Sequence, residues 1–235
     1  MAMRQRRIGL TGGIASGKST VGQLLHERFG LPVLDADHYA REALAPGTDA
    51  TVAVLAHFGP AVWATGSEPA AATAPAIDRA ALGRIVFADA AERQWLEQRI
   101  HPEVRRRFAL ELARLEAEPV VVLMIPLLFE AGLQELCSEV WLVSCDEARQ
   151  RERLQKRDGL AGDDARQRLA AQWPLVRKRA LADVVINNDG GLEMLLPALE
   201  RLLGRSLSDR AAGAPSQADG REPGGTDNGH QVTTD

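Results

Sequence analysis

The stretch Ile8–Thr20, IGLTGGIASGKST, decides the fold predicted for this chain. Its apolar start indicates a buried strand, and an amphipathic pattern after it indicates a helix that begins near Ser19. Between them the chain matches G-x-x-x-x-G-K-[ST], in the strand–loop–helix context that gives this pattern its meaning. Glycines let backbone N–H groups turn towards phosphate oxygens, and the helix N-terminus adds a positive dipole end. The stretch therefore predicts a loop that binds a nucleoside triphosphate.

The lysine of this loop has a specific use. Lys18 can reach the β- and γ-phosphates, and the hydroxyl of the neighbouring Ser19 can enter the coordination shell of Mg²⁺. The chain has 28 lysines and arginines together, and only three of them are lysines: Lys18, Lys156 and Lys178. A compact ammonium suits a position between phosphates better than a planar guanidinium does. The composition thus favours a phosphate-binding role for Lys18.

Four further apolar runs predict strands: LPVLDAD, PVVVLMIP, EVWLVSC and DVVIN. The run between Pro119 and Pro126 is apolar throughout, as expected for a strand buried on both faces. Helical patterns separate the runs, among them a helix that starts at Pro102 and a final amphipathic helix from Leu192 to Leu203. Strands that alternate with helices predict an α/β fold of three layers, with a parallel sheet between two layers of helices.

Several segments depart from this alternation. Residues 41–117 are helical in pattern and much longer than a simple crossover, so we predict an inserted helical subdomain on the substrate side. Within it, Thr65–Ala76 is a low-complexity stretch that predicts a solvated loop. Residues 205–235 are rich in Gly, Pro and Asp and predict a disordered tail, which leaves 4–204 as the folded domain.

Composition excludes several classes of protein. The net charge of −4 argues against general nucleic-acid binding, and no run approaches the roughly 20 apolar residues of a membrane-spanning helix. Cys137 and Cys145 have neither metal-ligand spacing nor a disulfide framework around them. We therefore expect reduced thiols in a cytoplasmic protein.

Two nucleotide-binding classes also fit poorly. A regulatory GTPase needs an N-K-x-D sequence after a late strand, and here VVINNDGG has Asn188 where the lysine should be. An energy-coupling ATPase needs an acid at the end of a neighbouring strand, and the PVVVLMIP strand is followed by no acid until Glu130. These two differences favour a small-molecule kinase.

The sequence LDAD offers the acids that a kinase needs. In an extended strand Asp35 and Asp37 point to the same side, at the sheet edge where α/β proteins bind ligands. One carboxylate can accept the proton of an attacking hydroxyl, and the other can support Mg²⁺ through its waters. The alternative is a pair of solvated acids or a helix N-cap.

An arginine-rich segment, residues 147–180, predicts a helical lid. Helical spacing places Arg149, Arg153 and Arg157 on one face. Charge runs are usually solvated faces, and Glu147, Glu152 and Asp158 could pair with these arginines. Phosphoryl transfer nevertheless needs cations around the moving group, and a closing lid can supply them. We expect Arg153 and Arg157 to do so. The other arginines of this run are Arg151, Arg166, Arg168, Arg177 and Arg179.

Six segments together resemble the dephospho-CoA kinase family, which performs the last step of coenzyme A biosynthesis. They are IGLTGGIASGKST, VLDADHYAREALAPG, IDRAALGRIVFAD with LEQRIHPEVR, IPLLFEAGL, RLQKRD and ADVVINNDG. The resemblance runs from about Arg7 to Gly204. The family often has an acidic residue where Asn187 stands, so the role of that position is not carried over.

The resemblance implies a reaction, its substrates and a set of residues. It implies ATP-dependent phosphorylation of the ribose 3′-hydroxyl of dephospho-CoA, with Mg²⁺. We expect a monomer or a weak homo-oligomer. Lys18, Asp37 and Arg153 are the implied catalytic residues, with Asp37 as the general base. The implied ATP-binding residues are Gly12, Gly13, Ile14, Ala15, Ser16, Gly17, Lys18, Ser19 and Thr20. The implied substrate-side residues are Asp35, Arg41, His101, Arg105, Glu130 and Arg157, although His101 equally fits the start of a helix before Pro102.

Two other functions stay open at this point. Another small kinase with the same loop, acting on a nucleoside monophosphate or a metabolite hydroxyl, would share the acids and the lid. An ATP-binding regulatory protein would share only the loop, and the Asp35/Asp37 pair argues against it because a sensor needs no base.

Overall fold

The computed structural model describes residues 5–64, 76–158, 169 and 172–204. Five strands form one parallel sheet in the order β2-β3-β1-β4-β5. The loop-bearing strand β1 is central, and its Leu10 lies opposite Met124 of β3 and Trp141 of β4. The predicted parallel sheet is confirmed. The strands are β1 Arg6–Gly12, β2 Val33–Asp35, β3 Val120–Met124, β4 Glu139–Ser144 and β5 Val184–Asn187.

Helices connect the strands and cover the sheet. In the described ranges they are α1 Lys18–Glu27, α2 Ala36–Ala43, α3 Asp49–Phe58, α4 Arg79–Ala88, α5 Ala90–Arg114, α6 Glu147–Asp158, α7 Leu175–Leu181 and α8 Leu192–Leu203. Thr48, Asp78 and Asp89 cap the helices that follow them, because each side-chain oxygen accepts a backbone N–H of the first turn. None of the helices in these ranges is long and apolar enough to cross a membrane.

Alternate strand side chains enter two separate cores. On one face, Ile8 and Val143 pack with α1 and α8 through Leu25 and Leu199. On the other face, Val121 and Leu123 of β3 pack with α2 and α5, where Tyr39 meets Phe108 edge to face. This arrangement confirms the predicted three layers. Cys137 and Cys145 are free thiols, as expected.

Helices α2–α5 fill the chain between β2 and β3, and α3, α4 and α5 build a third core. Val54, Leu82 and Leu96 lie within it. The predicted helix start at Pro102 is wrong, because α5 runs through the proline without a break. Pro102 lacks an N–H and so removes one helical hydrogen bond. Packing outweighs that loss: Leu96 lies in the third core, Phe108 lies in the sheet core, and Ile100 between them touches both.

Some predictions fall on residues outside the described ones. These are the greater part of the Thr65–Ala76 loop, the tail 205–235, and the middle of the lid segment with Arg166 and Arg168. The side chain of Asp158, a predicted ion-pair partner, is also outside them. The final helix is confirmed, with Leu195, Leu199 and Leu203 buried on its inner face.

Candidate active site

The loop between β1 and α1 has the backbone conformation of a phosphate cradle. Gly17 adopts a left-handed φ of 93° directly before the first turn of α1. Ala15 also has a positive φ, 57°, a conformation that side-chain-bearing residues rarely adopt. Such left-handed positions turn successive N–H groups towards the inside of the loop. The helix begins at Lys18, one residue before the predicted start.

A second segment holds this loop in place. Asn188, after β5, donates from Nδ2 to the carbonyl of Ser16 at 2.9 Å, and its own N–H bonds to Ser144 at the end of β4. A Cβ at Gly17 would lie 1.9 Å from that Nδ2. Gly17 is therefore required for two reasons, its backbone conformation and this close contact. The hydroxyl of Ser16 is buried and has no hydrogen-bond partner among the described residues.

Lys18 lies among charges of both signs. Burial lowers the pKa of its ammonium, the carboxylates of Asp37 and Asp35 oppose that shift, and the cations Lys178 and Arg157 reinforce it. The structure thus brings together the loop lysine, both predicted acids and one of the predicted lid arginines. An ammonium in such a place is stabilised by any added negative charge, such as a triphosphate.

The two acids do not share one extended strand, so the predicted geometry is wrong. Asp35 ends β2 and caps α2, and its Oδ1 accepts the backbone N–H of Asp37 at 2.9 Å. Asp37 lies in the first turn of that helix. The capping alternative is therefore correct for Asp35, because α2 begins immediately after β2. Only Asp37 keeps a carboxylate that does not bond to its own helix end.

Asp37 keeps part of its surface in contact with solvent, yet the protein around it raises its pKa. Partial burial is the largest cause, the Lys18 ammonium lowers the pKa, and the Asp35 carboxylate raises it further. Arg41, one turn later on α2, is a second cation that lowers it. The structure therefore places Arg41 beside the predicted base. A carboxyl with a raised pKa is a better proton acceptor when it is ionised.

Helix α6 carries the predicted lid arginines. Arg153 donates from Nη2 to the carbonyl of Asn188 at 3.2 Å, and Arg149 donates to the carbonyl of Asp189. The predicted pairing of these two with Glu147 and Glu152 is wrong, because their partners are backbone carbonyls after β5. The charge of Arg157 acts on Lys18 and lowers its pKa.

The remaining substrate-side residues are spread over α5 and the loop after β3. Arg105 pairs with Glu135 and donates to the carbonyls of Ala131 and Gly132 at 3.3 and 3.1 Å. It therefore ties α5 to that loop. His101 lies in the middle of α5, not at a helix start. The substrate contacts of both residues stay predictions.

Glu130 belongs to a buried ion pair. Its Oε1 accepts from Nζ of Lys178 at 2.7 Å and from the N–H of Trp173 at 3.1 Å. Lys178 is fully buried, and its Nζ also lies 3.4 Å from the Pro126 carbonyl, which the Thr11 hydroxyl contacts at 3.1 Å. This pair joins α7 to the loop after β3, close enough to the phosphate loop for the Lys178 charge to act on Lys18.

The oxygen atoms near the loop fit Mg²⁺ that arrives with a nucleotide. Ser19 is exposed in the first turn of α1, and the carboxylates of Asp35 and Asp37 act on the adjacent Lys18. The described residues contain no group of three or more acids, histidines or cysteines that could hold a metal alone. Mg²⁺ commonly uses one or two protein oxygens and takes the rest from phosphates and water. The donor set therefore suits a metal shared with the triphosphate.

The sequence predicts no role in this site for four residues that contact the phosphate loop or the segments beside it. Lys178, Gln150 and Gln172 are separated from the loop by more than a hundred residues, and no spacing pattern connects them to it. In the sequence, Asn188 stands out only as the residue in place of the lysine of a guanine-binding sequence. Its position directly after a predicted strand was the one available signal.

A glycine-rich phosphate loop before α1, a basic helix after β4 and a carboxylate facing the loop lysine define a P-loop kinase. The family model for dephospho-CoA kinase matches residues 6–194. The chain belongs to the dephospho-CoA kinase family, and it is accordingly an enzyme that transfers a phosphoryl group.

Individual relatives agree with this assignment. A dephospho-CoA kinase of Parasynechococcus marenigrum is 62% identical over 197 residues, which are 84% of this chain and 94% of that protein. A dephospho-CoA kinase of Prochlorococcus marinus is 60% identical over 186 residues, 79% of this chain and 89% of that protein. The crystal structure of a Thermus thermophilus protein aligns with a TM-score of 0.70 at 38% identity and covers 85% of this chain and 97% of that one.

Proposed function

We propose that this chain transfers the γ-phosphoryl group of ATP to the ribose 3′-hydroxyl of dephospho-CoA, giving coenzyme A and ADP. The observation that carries the site assignment is the position of Asp37. It reaches the same edge of the sheet as the phosphate loop, and its carboxylate and the Lys18 ammonium shift each other's pKa. A proton acceptor beside a γ-phosphate site is what phosphorylation of a hydroxyl requires.

The loop residues Gly12–Thr20 bind the triphosphate in this proposal. Their backbone N–H groups and the dipole of α1 stabilise the phosphate oxygens, and Lys18 contacts the β- and γ-phosphates. Ser19 would hold Mg²⁺ together with the nucleotide. Bound there, the metal would supply positive charge that neutralises the phosphate oxygens.

Asp37 acts as the base. The acceptor hydroxyl oxygen attacks the γ-phosphorus, the bond to the oxygen bridging the β- and γ-phosphorus atoms breaks, and ADP leaves with that oxygen. The hydroxyl proton goes to the carboxylate of Asp37. Asp35 fixes the helix end that carries Asp37, so its role is to orient the base instead of binding substrate.

The lid arginines stabilise the moving group. The charge of Arg157 acts on Lys18, and Arg153 bonds to the carbonyl of Asn188, which in turn holds the phosphate loop at Ser16. Closure of the lid would bring positive charge to the γ-phosphoryl group and exclude water, which competes as an acceptor. We further propose that the enzyme works in the cytoplasm, as a monomer or a weak homo-oligomer.

A coupled assay of ADP release tests the substrate. The purified full chain is given Mg·ATP with dephospho-CoA, with AMP, with shikimate, or with no acceptor. We expect turnover with dephospho-CoA alone. Turnover with another acceptor would keep the kinase chemistry and overturn the substrate, whereas ATP binding without acceptor-dependent turnover would favour a regulatory protein.

A further inference from the structure

Both sides of the lid contact the same residue of the phosphate loop, Ile14. From α6, Gln150 donates from Nε2 to the carbonyl of Ile14 at 2.8 Å. From the segment before α7, Gln172 accepts the N–H of Ile14 through Oε1 at 3.0 Å. One residue of the loop is therefore held on both its donor and its acceptor by the two ends of the lid segment.

The preceding glycine makes room for this arrangement. A Cβ at Gly13 would lie 2.4 Å from Nε2 of Gln150 and 3.2 Å from Cδ2 of Leu175 on α7. The pattern G-x-x-x-x-G-K-[ST] does not require glycine at this second position. Gly13 has a negative φ, so its backbone could carry a side chain. Close packing of the lid is thus the reason for glycine here.

Burial makes the hydrogen bond of Gln150 to the Ile14 carbonyl costly to lose. Its side chain is 2% exposed, and a buried amide that loses its partner is costly. Arg153 follows three residues later on the same helix and donates to Asn188, which in turn bonds to Ser16. Helix α6 is therefore fixed to the loop at two points, on either side of Ala15.

We propose that Gln150 and Gln172 are positioning residues that hold the phosphate loop and the lid arginines in a fixed relative position. The loop cannot shift relative to Arg153 without breaking the bonds at Ile14. The expected consequence is correct alignment of the γ-phosphoryl group, and in this respect the inference rests on the proposed function. Misplacement of reacting groups by about 1 Å can cost up to about a hundredfold in rate.

A double-mutant cycle between Gly13→Ala and Gln150→Ala tests the coupling. Each single variant should lower kcat/KM for ATP about tenfold, because each displaces or removes the amide that holds Ile14. The double variant should fall no further, since the added methyl group then has no amide to displace. Gln172→Met should reproduce the loss of either single variant. Gln155→Ala, on the same helix and without a contact to the loop in the described part of the chain, is the matched control.

Two further measurements separate positioning from stability and from substrate identity. A purely structural role would lower the melting temperature of each variant and leave kcat/KM for ATP near that of Gln155→Ala, which would overturn the proposal. Additive losses in the double variant would overturn it as well. The same cycle measured on the affinity for a non-hydrolysable Mg·ATP analogue needs no acceptor. Non-additive losses there support the coupling even if the unaltered chain shows no turnover with dephospho-CoA, and additive ones overturn it.

Discussion

The phosphate-loop edge and the helical insertion are built in different ways. By the phosphate-loop edge we mean Gly12–Lys18, Asp35–Asp37, Pro126–Glu130, Lys178 and Asn188, and by the insertion we mean Asp49–Arg114. At the edge, groups from distant segments are fixed by backbone contacts: Asn188 holds Ser16, and Lys178 reaches Pro126. In the insertion, helices are capped by their own preceding residues and packed around a local core.

The aromatic group of the insertion shows the contrast. Trp95 stacks on His57 with ring centroids 3.8 Å apart, and the guanidinium of Arg99 lies 3.6 Å from the indole centroid. Glu92 pairs with His57 at 2.6 Å. These side chains are partly exposed and come from α3 and α5 alone. A substitution at the phosphate-loop edge should therefore disturb several ligand-binding groups at once. A substitution within the insertion should change only the local stability.

The largest effect is expected at the edge, from Lys18→Ala. Loss of the ammonium beside the γ-phosphate should lower kcat about a thousandfold. The fold should survive, because burial disfavours the charged lysine and its removal deletes an unfavourable group. Turnover at saturating substrates and the melting temperature together check this. Near wild-type kcat would show that Lys18 does not act on the moving phosphoryl group.

Asp37→Asn should come next. Removal of a general base costs about a hundredfold to ten-thousandfold in kcat, and KM for either substrate should change little. A change confined to KM would make Asp37 a binding residue. The raised pKa favours the protonated carboxyl in the folded chain, so any stability that Asp37 contributes is lost as pH rises through that pKa. Asp37→Asn should therefore be no less stable than the unaltered chain at neutral pH.

The pH profile gives a sharper version of this test. Because Asp37 must be ionised to accept a proton, activity should fall on the acid side at a pH above the usual aspartate pKa of about 4. The charge of Asp35 contributes to that raised pKa. Asp35→Asn should move the acid limb to lower pH and keep α2 intact, since asparagine is also a good N-cap. An unmoved limb would mean that another group sets it.

Ion pairs extend the comparison to stability. Lys178→Met leaves the buried carboxylate of Glu130 without its cation and should lower the free energy of unfolding by about 3 kcal/mol. Arg114→Met removes a pair with Glu111 on the exposed face of the insertion and should cost less than about 1 kcal/mol. Chemical denaturation checks both variants. In the Lys178→Met background, Glu130→Gln should recover much of the loss, because a neutral amide can still accept the N–H of Trp173.

The contrast between the two regions also explains which features could be predicted from the sequence. The loop, the strands and the final helix have local patterns, so Ile8–Thr20 and Leu192–Leu203 were predicted correctly. The Asp35/Asp37 geometry was not, because a strand of three residues followed at once by a helix has no period to detect. The path of α5 through Pro102 depends on two cores that only the folded chain brings together. Lys178 and Gln150 act across the fold, beyond any local pattern.

The smallest effect is expected within the insertion, from Arg99→Met. This change removes the cation over Trp95 and the bond from Nη1 to the Trp95 carbonyl at 3.0 Å. The melting temperature should fall by about 3 °C, which corresponds to about 1 kcal/mol in a chain of this size. KM for ATP should not change, because no described contact joins this cluster to the phosphate loop. Arg93→Met on the same helix is the control. A raised KM for ATP in Arg99→Met alone would show that the insertion reaches the nucleotide, and the two regions would then not be separable.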